Sequence, residues 1–83
     1  MPYFYVLKCS DGSYYIGSTR DLVGRLDKHR RGVVKYTKSR LPVELICKEY
    51  FRIYSDAFQR EQQVKSWKKR RAIENLIKRS KIN

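Results

Sequence analysis

From Tyr3 to Cys9 the chain reads YFYVLKC, and after Ser10-Asp11-Gly12 a shorter run from Ser13 to Ile16 is again rich in aromatic and β-branched residues. An aspartate followed by a glycine suits the positive φ of a tight turn, so the two runs predict a β-hairpin. Alternation along the first strand puts Tyr3, Tyr5, Leu7 and Cys9 on one face and Phe4, Val6 and Lys8 on the other. Loop length then decides how Tyr5 lies relative to Tyr15. A two- or four-residue turn pairs Cys9 with Tyr14 and sends the two tyrosines to opposite faces. A three-residue loop at Asp11-Gly12-Ser13 pairs Cys9 with Tyr15 and puts both on one face. If the phenols share a site, the odd loop is expected.

The chain should leave the second strand at Gly17-Ser18-Thr19, where Thr19 or Asp21 offers a polar cap to a helix. Leu22, Arg25, Leu26 and His29 fall at i, i+3, i+4 and i+7, so the arginine and the histidine share a face with the apolar stripe and lean toward the sheet. Taken singly, both read as ordinary: Arg25 laid along the core edge with its head in water, His29 a satisfied packing residue. Gly32 marks the end of this helix. Val33 to Pro42 then form a basic connection with Lys35, Lys38 and Arg40 around Tyr36. That connection either touches phosphates or is a solvated linker whose tyrosine packs onto the sheet.

Leu41 to Phe51 predicts a third strand, with Val43, Leu45 and Cys47 alternating against Glu44, Ile46 and Lys48. Ser55 is the expected N-cap of a second helix running through Lys65 or beyond, with Asp56 near the positive end of its dipole. Phe58, Glu61, Gln62 and Lys65 lie on one stripe of it. A carboxylate on a face that meets the sheet needs a partner. It could be a metal ion, an arginine such as Arg25, or an exposed i,i+4 pair with Lys65, which spacing alone favours. Ser66 to Asn83 sets Lys68, Lys69, Arg70, Arg71, Lys78, Arg79 and Lys81 against Ala72, Ile73, Leu76 and Ile77, an amphipathic basic helix. Trp67 either anchors this segment to the sheet or offers a stacking face to an unpaired base, worth roughly 1–3 kcal/mol. The expected fold is α+β and sandwich-like, a three-stranded antiparallel sheet flanked by helices in the order β-β-α-β-α-α. It forms one domain over residues 1–83, with a basic helical extension at 68–83.

Charge narrows the partners. The chain's 83 residues carry 20 Lys+Arg against 8 Asp+Glu, a formal net charge of +12. Such a surplus repels itself in the compact state, which points to a polyanionic partner, nucleic acid first and an anionic membrane surface second. No apolar run is long enough to span a bilayer, and Met1-Pro2-Tyr3-Phe4 lacks a basic n-region and a cleavage site, so a cytoplasmic location is expected. Cys9 and Cys47, with the single His29, cannot assemble a closed zinc site and read as reduced core residues. Without a glycine-rich phosphate loop, nucleotide-hydrolysing classes are disfavoured. No Ser-His-Asp constellation is evident.

Two tyrosine-bearing strands and an inward-leaning arginine one helical turn from a histidine would make a cationic, phenol-lined pocket. In these residues the chain resembles the GIY-YIG nuclease family. Tyr15-Ile16-Gly17 matches the second signature triplet letter for letter, while Tyr3-Phe4-Tyr5 stands in the place of the first and keeps its final tyrosine. The spacing to Arg25 and the hairpin-then-helix order also agree. The likeness runs from Tyr3 to about Trp67 and is to the small single-domain bacterial members.

Phosphodiester hydrolysis asks for an activated water, neutralisation of the charge developing on phosphate, and stabilisation of the leaving oxygen. The resemblance implies Glu61 as the one ligand of a divalent metal, magnesium or manganese, Arg25 on the non-bridging oxygens, and Tyr5 or Tyr15 orienting or deprotonating water, a task His29 could share. A phenol normally titrates near pH 10, so that last role requires nearby positive charge. The family's late site position, often asparagine, is not assigned to one residue here, although Lys65 and Lys68 lie in the region. Lys35, Lys38, Arg40, Lys65, Lys68, Lys69, Arg70 and Arg71 are the expected grip on nucleic acid, giving salt-dependent binding with little sequence readout. The function so implied is a divalent-metal-dependent endonuclease acting on DNA by structure rather than sequence. A basic nucleic-acid-binding module that no longer cuts is the alternative, supported by the degenerate first triplet. A small accessory protein docking on an acidic partner is a third. Oligomeric state stays open.

Overall fold

The computed structural model describes residues 1–80, so the end of the predicted basic helix, including Lys81, lies outside the described residues. In chain order the elements are β1 (Tyr3–Lys8), β2 (Tyr14–Thr19), α1 (Leu22–Arg30), α2 (Lys35–Lys38), β3 (Glu44–Tyr50), α3 (Tyr54–Lys65) and α4 (Arg70–Arg79). The strands form one antiparallel sheet in the order β2-β1-β3. This is the expected α+β architecture, with one turn of helix, α2, inside the basic connection.

β1 is central, and Phe4, Tyr5, Val6 and Leu7 are all fully buried. A strand covered on both faces needs an unbroken apolar run, which this one has. On one face Phe4 and Val6 join Cys47 of β3, Val64 of α3 and Leu76 of α4 in the core, with Trp67 packed at its margin. Tyr5 and Leu7 point to the other face, where His29 of α1 and Thr37 of α2 are buried. Cys9 and Cys47 are free and buried, as expected of reduced core residues.

The hairpin loop has the odd length that brings Tyr5 and Tyr15 to one face, but it closes one residue earlier than expected. The Cys9 N–H donates to the Ser13 carbonyl at 2.9 Å and the Gly12 N–H to the Cys9 carbonyl at 3.0 Å. The loop is therefore Ser10-Asp11-Gly12, and Tyr15 pairs with Leu7 rather than Cys9. Gly12, at φ +84°, takes the left-handed position that ends such loops and so fixes the frame. β2 does not stop at Gly17: it runs on to Thr19, with Gly17 opposite Tyr5.

β3 also departs from simple alternation. Val6 faces Cys47 while Leu7 faces Leu45, which leaves Ile46 as the extra residue of a bulge. The bulge turns Ile46 onto the core beside Cys47. The helix ends follow local chemistry. Asp21 caps α1 by accepting from the Gly24 N–H at 3.1 Å. At its other end Gly32, at φ +75°, and Val33 donate to the carbonyls of His29 and Lys28, the hydrogen-bond pattern of a Schellman stop.

Two expectations for the C-terminal half are corrected. α3 begins at Tyr54 with Ile53 in the cap position, so Ser55 lies in the first turn and caps nothing, although Asp56 keeps its place there. The buried stripe of α3 is Ala57, Glu61 and Val64, which turns Phe58 outward beside Tyr54. The basic helix starts at Arg70 rather than residue 68, because the chain turns at Ser66, whose hydroxyl donates to the Gln63 carbonyl at 2.5 Å, and is irregular to Lys69, itself extended in the cap position. α4 then sets Leu76 into the core at 3% exposure. Leu76→Ala should therefore lower the unfolding free energy by about 2–4 kcal/mol in urea titration. A change within about 0.5 kcal/mol, ordinary for a surface site, would make α4 a dispensable appendage.

Candidate active site

Tyr5 and Gly17 face each other across β1 and β2, and the absent side chain of the glycine is the space the tyrosine uses. A Cβ on Gly17 would lie 2.7 Å from both Cζ and the hydroxyl oxygen of Tyr5. The phenol thus lies over the bare backbone of β2, fully buried, with the Tyr15 ring 6.2 Å away by centroids. His29 from α1 stands edge-on to both rings, 5.9 Å from Tyr5 and 4.9 Å from Tyr15. Gly17, the last residue of the Tyr15-Ile16-Gly17 triplet, is what lets these aromatic groups converge.

Around the Tyr5 hydroxyl two nitrogens close in: Nε2 of His29 at 3.0 Å, and Nε of Arg25, which donates at 3.4 Å. Burial pushes the Tyr5 phenol up to about 12, outweighing the hydrogen bond from Arg25. Burial and then the Arg25 charge hold His29 down to about 4, so the imidazole is neutral near pH 7. Arg25 is raised further, first by its hydrogen bond to Tyr5, and stays charged. Tyr5, Tyr15, Arg25 and His29, singled out from sequence, form one cluster. Sequence reasoning missed Thr37, whose Oγ1 lies 2.8 Å from Nδ1 of His29 in full burial. A threonine inside a basic loop carries no signal that its partner lies on the preceding helix.

Glu61 approaches from α3, across β2 from α1. The Ser18 hydroxyl donates to its Oε1 at 2.5 Å, and the Lys65 ammonium lies 2.6 Å from its Oε2. The carboxylate is 9% exposed as a residue and still close enough to raise the Tyr5 phenol electrostatically. The i,i+4 pair expected from spacing is present, but with its acid inside the fold. Ser18 and Tyr54, linked by a 3.3 Å hydrogen bond, were not anticipated beside it.

The catalytic-domain model of the GIY-YIG family matches residues 1–76. The chain belongs to the GIY-YIG family. UPF0213 proteins of Staphylococcus aureus are 42% identical over 77 residues, covering 92% of this chain and 93% of theirs. The solution NMR structure of a UPF0213 protein from Bacillus halodurans superposes with a TM-score of 0.62 at 39% identity, over 94% of this chain and 84% of that one. A GIY-YIG domain places the chain in a nuclease family whose substrate is nucleic acid. No helix among the described residues is long and apolar enough to cross a membrane.

GIY-YIG nucleases generally use a divalent metal, and the residues at Glu61 fit a hard one. The donors there are all oxygens, and an ammonium already sits against the outward carboxylate oxygen. No group of three His, Cys, Asp or Glu side chains that could enclose an ion exists among the described residues. A magnesium-like cation suits such a place, since it accepts one carboxylate and completes its shell with water and substrate phosphate.

The predicted phosphate-binding cations divide into two sets. Lys35, Lys38, Lys68, Lys69 and Arg71 are exposed, and Lys65 borders a cleft of about 230 Å³ lined also by Tyr14, Tyr15, Ile16 and Tyr36. Arg40 and Arg70 are fasteners of the fold. Arg40 bonds Asp11 at 3.2 Å and the Tyr36 carbonyl at 2.6 Å, with its guanidinium over the Tyr36 ring. Arg70 bonds the Gly12 carbonyl at 2.7 Å and Glu74 at 3.0 Å, lying over Tyr14. Tyr36 itself packs on Tyr15 at 5.5 Å, so of the two readings of the connection its packing role is met.

His29 gives this cluster a pH signature. With a folded value near 4 against an ordinary 6.5, the unfolded chain binds more protons between those limits, so stability must fall as pH drops through that window. Urea midpoints from pH 7 to 4 should show a decline that is shallower in His29→Asn, the difference isolating the histidine from titrating carboxylates. Parallel curves for the two proteins would mean that His29 charges freely in the folded state.

Proposed function

We propose that the chain is a divalent-metal-dependent endonuclease that hydrolyses phosphodiester bonds in DNA, choosing its substrate by structure rather than by sequence. The observation that carries this reading is the convergence on β2 of the Tyr5–His29–Arg25 cluster, whose phenol lies over Gly17, and the buried Glu61, which accepts from the neighbouring Ser18. Structural packing alone gives no reason to set a half-buried arginine on a buried phenol and a buried carboxylate beside the same edge strand.

In this scheme Arg25 spends its Nε–H on Tyr5 and takes the non-bridging oxygens with its two Nη groups, a fixed fork rather than a mobile charge. Tyr5 holds its proton at neutral pH and serves as the inner support of the arginine. Tyr15 is only half-buried and borders the open cleft, so it is the phenol that orients the attacking water. Magnesium or manganese at Glu61 supplies Lewis acidity at the leaving oxygen when bound. Lys35, Lys38, Lys68, Lys69 and Arg71 hold the backbone, a grip that reads charge and shape.

Purified protein incubated with linear duplex, single-stranded, flapped and branched DNA should give products with magnesium or manganese, none with chelator, and none with Glu61→Ala. Arg25→Ala should slow cleavage by about 10²- to 10³-fold, as loss of one preorganised charge does, with binding changed only a few-fold. Binding that fell as far as cleavage would reduce Arg25 to a tether. The alternative, a module that binds without cutting, is favoured by the Tyr3-Phe4-Tyr5 triplet and by Lys65 seated on Glu61. Salt-sensitive binding with no products under any condition would establish that alternative.

Neutralising Lys68, Lys69 and Arg71 together should flatten the dependence of log K on log salt by about one unit for each phosphate contact removed. Arg70 is left in place because its loss would loosen the hairpin loop. An unchanged slope would take the approach to α4 out of the interface.

A further inference from the structure

His29 is fully buried, and each of its ring nitrogens meets one hydroxyl: Nε2 lies 3.0 Å from Tyr5 Oη and Nδ1 lies 2.8 Å from Thr37 Oγ1. A neutral imidazole has one N–H and one lone pair, so the pair of contacts can be satisfied in two ways. Which of them holds decides where the Tyr5 proton points, and hence how Arg25 is held.

If Nε2 carried the proton, it would donate to Tyr5 and the Thr37 hydroxyl would donate to Nδ1. The Tyr5 oxygen would then receive two donors, His29 and Arg25, and its own O–H would need an acceptor. Among the described residues Tyr5 has no other side-chain hydrogen-bond partner, an arginine cannot accept, and the phenol is sealed from water. That arrangement strands a buried proton. With the proton on Nδ1 every group is served. The Nδ1–H donates to Thr37 Oγ1, the Thr37 hydroxyl turns to the Val34 carbonyl in a long 3.5 Å contact, the Tyr5 O–H donates to Nε2, and Arg25 Nε donates to the Tyr5 oxygen. Burial and the Arg25 charge keep the ring neutral, so the doubly protonated form that would donate to both hydroxyls is disfavoured.

We infer that Thr37 is a positioning residue: by accepting from Nδ1 it sets the tautomer of His29, which aims the Tyr5 proton inward and leaves the Tyr5 oxygen as the acceptor that fixes the Arg25 guanidinium. A one-way chain of hydrogen bonds thus runs from Arg25 through Tyr5, His29 and Thr37 to the backbone of α2's approach at Val34. The basic connection between α1 and β3 is thereby tied to the arginine through the side chains of Thr37, His29 and Tyr5. The tautomer stands on hydrogen-bond accounting for a neutral ring. Its consequence for cleavage rests on the function proposed above.

The chain has a single histidine, so its imidazole nitrogens can be read without assignment ambiguity in protein labelled with ¹⁵N-histidine. Near pH 7 the long-range ¹H–¹⁵N spectrum should show Nδ1 protonated and Nε2 bare. Thr37→Ser, which keeps the hydroxyl, should give the same pattern. Thr37→Val, of similar shape but without the acceptor, should move the proton toward Nε2 and, if the protein cuts, lower kcat at least tenfold with KM changed less than threefold. A wild-type spectrum with Nε2 protonated, or the same tautomer in Thr37→Val as in the wild type, would overturn the inference. The wild-type spectrum alone decides should the valine variant fail to fold. Because none of these spectra requires turnover, an inactive protein with the Nδ1–H tautomer would sink the nuclease reading and leave this inference standing.

Discussion

The Tyr5 phenol resting on the bare backbone of Gly17 is the contact from which the rest of the molecule follows. It requires the two residues to sit opposite each other in register, which in turn requires an odd hairpin loop and a left-handed Gly12 to close it. It also requires β2 to continue through a glycine, against the local preference of that residue. Once the phenol is there, its hydroxyl needs partners in a dry place, and α1 must be held at the depth that brings His29 and Arg25 to it. The capped start at Asp21 and the glycine stop at Gly32 fix the span of that helix.

Much of this could be read from the residues, because the signals were local. The Asp11-Gly12 turn, the i, i+3, i+4, i+7 stripe of α1 and the stop at Gly32 are short-range patterns, and each led to the observed element. Parity of the loop was also legible, since the demand that two tyrosines share a face admits only odd lengths. The exact frame was not, because Asp11-Gly12-Ser13 and Ser10-Asp11-Gly12 satisfy the same parity, and only the left-handed position selects between them. Where tertiary packing overrode pattern, the reading failed: Ile46 was turned inward by a bulge, Phe58 was turned outward, and Gly17 was kept in a strand. Thr37 and Ser18 escaped notice for the same reason. Small hydroxyls carry no periodicity, and their role appears only when the partner from another element arrives.

The large positive charge is not one uniform surface. Arg40 bonds Asp11 in the hairpin loop and Arg70 bonds the Gly12 carbonyl in the same loop, each with its guanidinium over a tyrosine ring. Planar, always charged and able to stack, arginine suits such fastening in a way that lysine does not. The lysines at 35, 38, 68 and 69 remain exposed. Two arginines thus bind the loop that sets the register, while Lys35, Lys38, Lys68, Lys69 and Arg71 stay exposed.

Glu61 shows how a site can be stable before any ligand arrives. Burying a carboxylate without compensation is costly, and here a hydroxyl and an ammonium compensate it from within the chain. Lys65 stands one turn along the same helix with nearly half of its side chain in water, so it can screen the carboxylate without losing its own hydration. In the smallest metal-binding domains the ligands have no partner until the ion binds, and metal affinity becomes folding energy. Here the core of Phe4, Val6, Cys47, Val64 and Leu76 closes on the opposite side of β1 from Tyr5, and the site's own groups satisfy one another. The groups around Glu61 are therefore held in place by hydrogen bonds and packing within the chain.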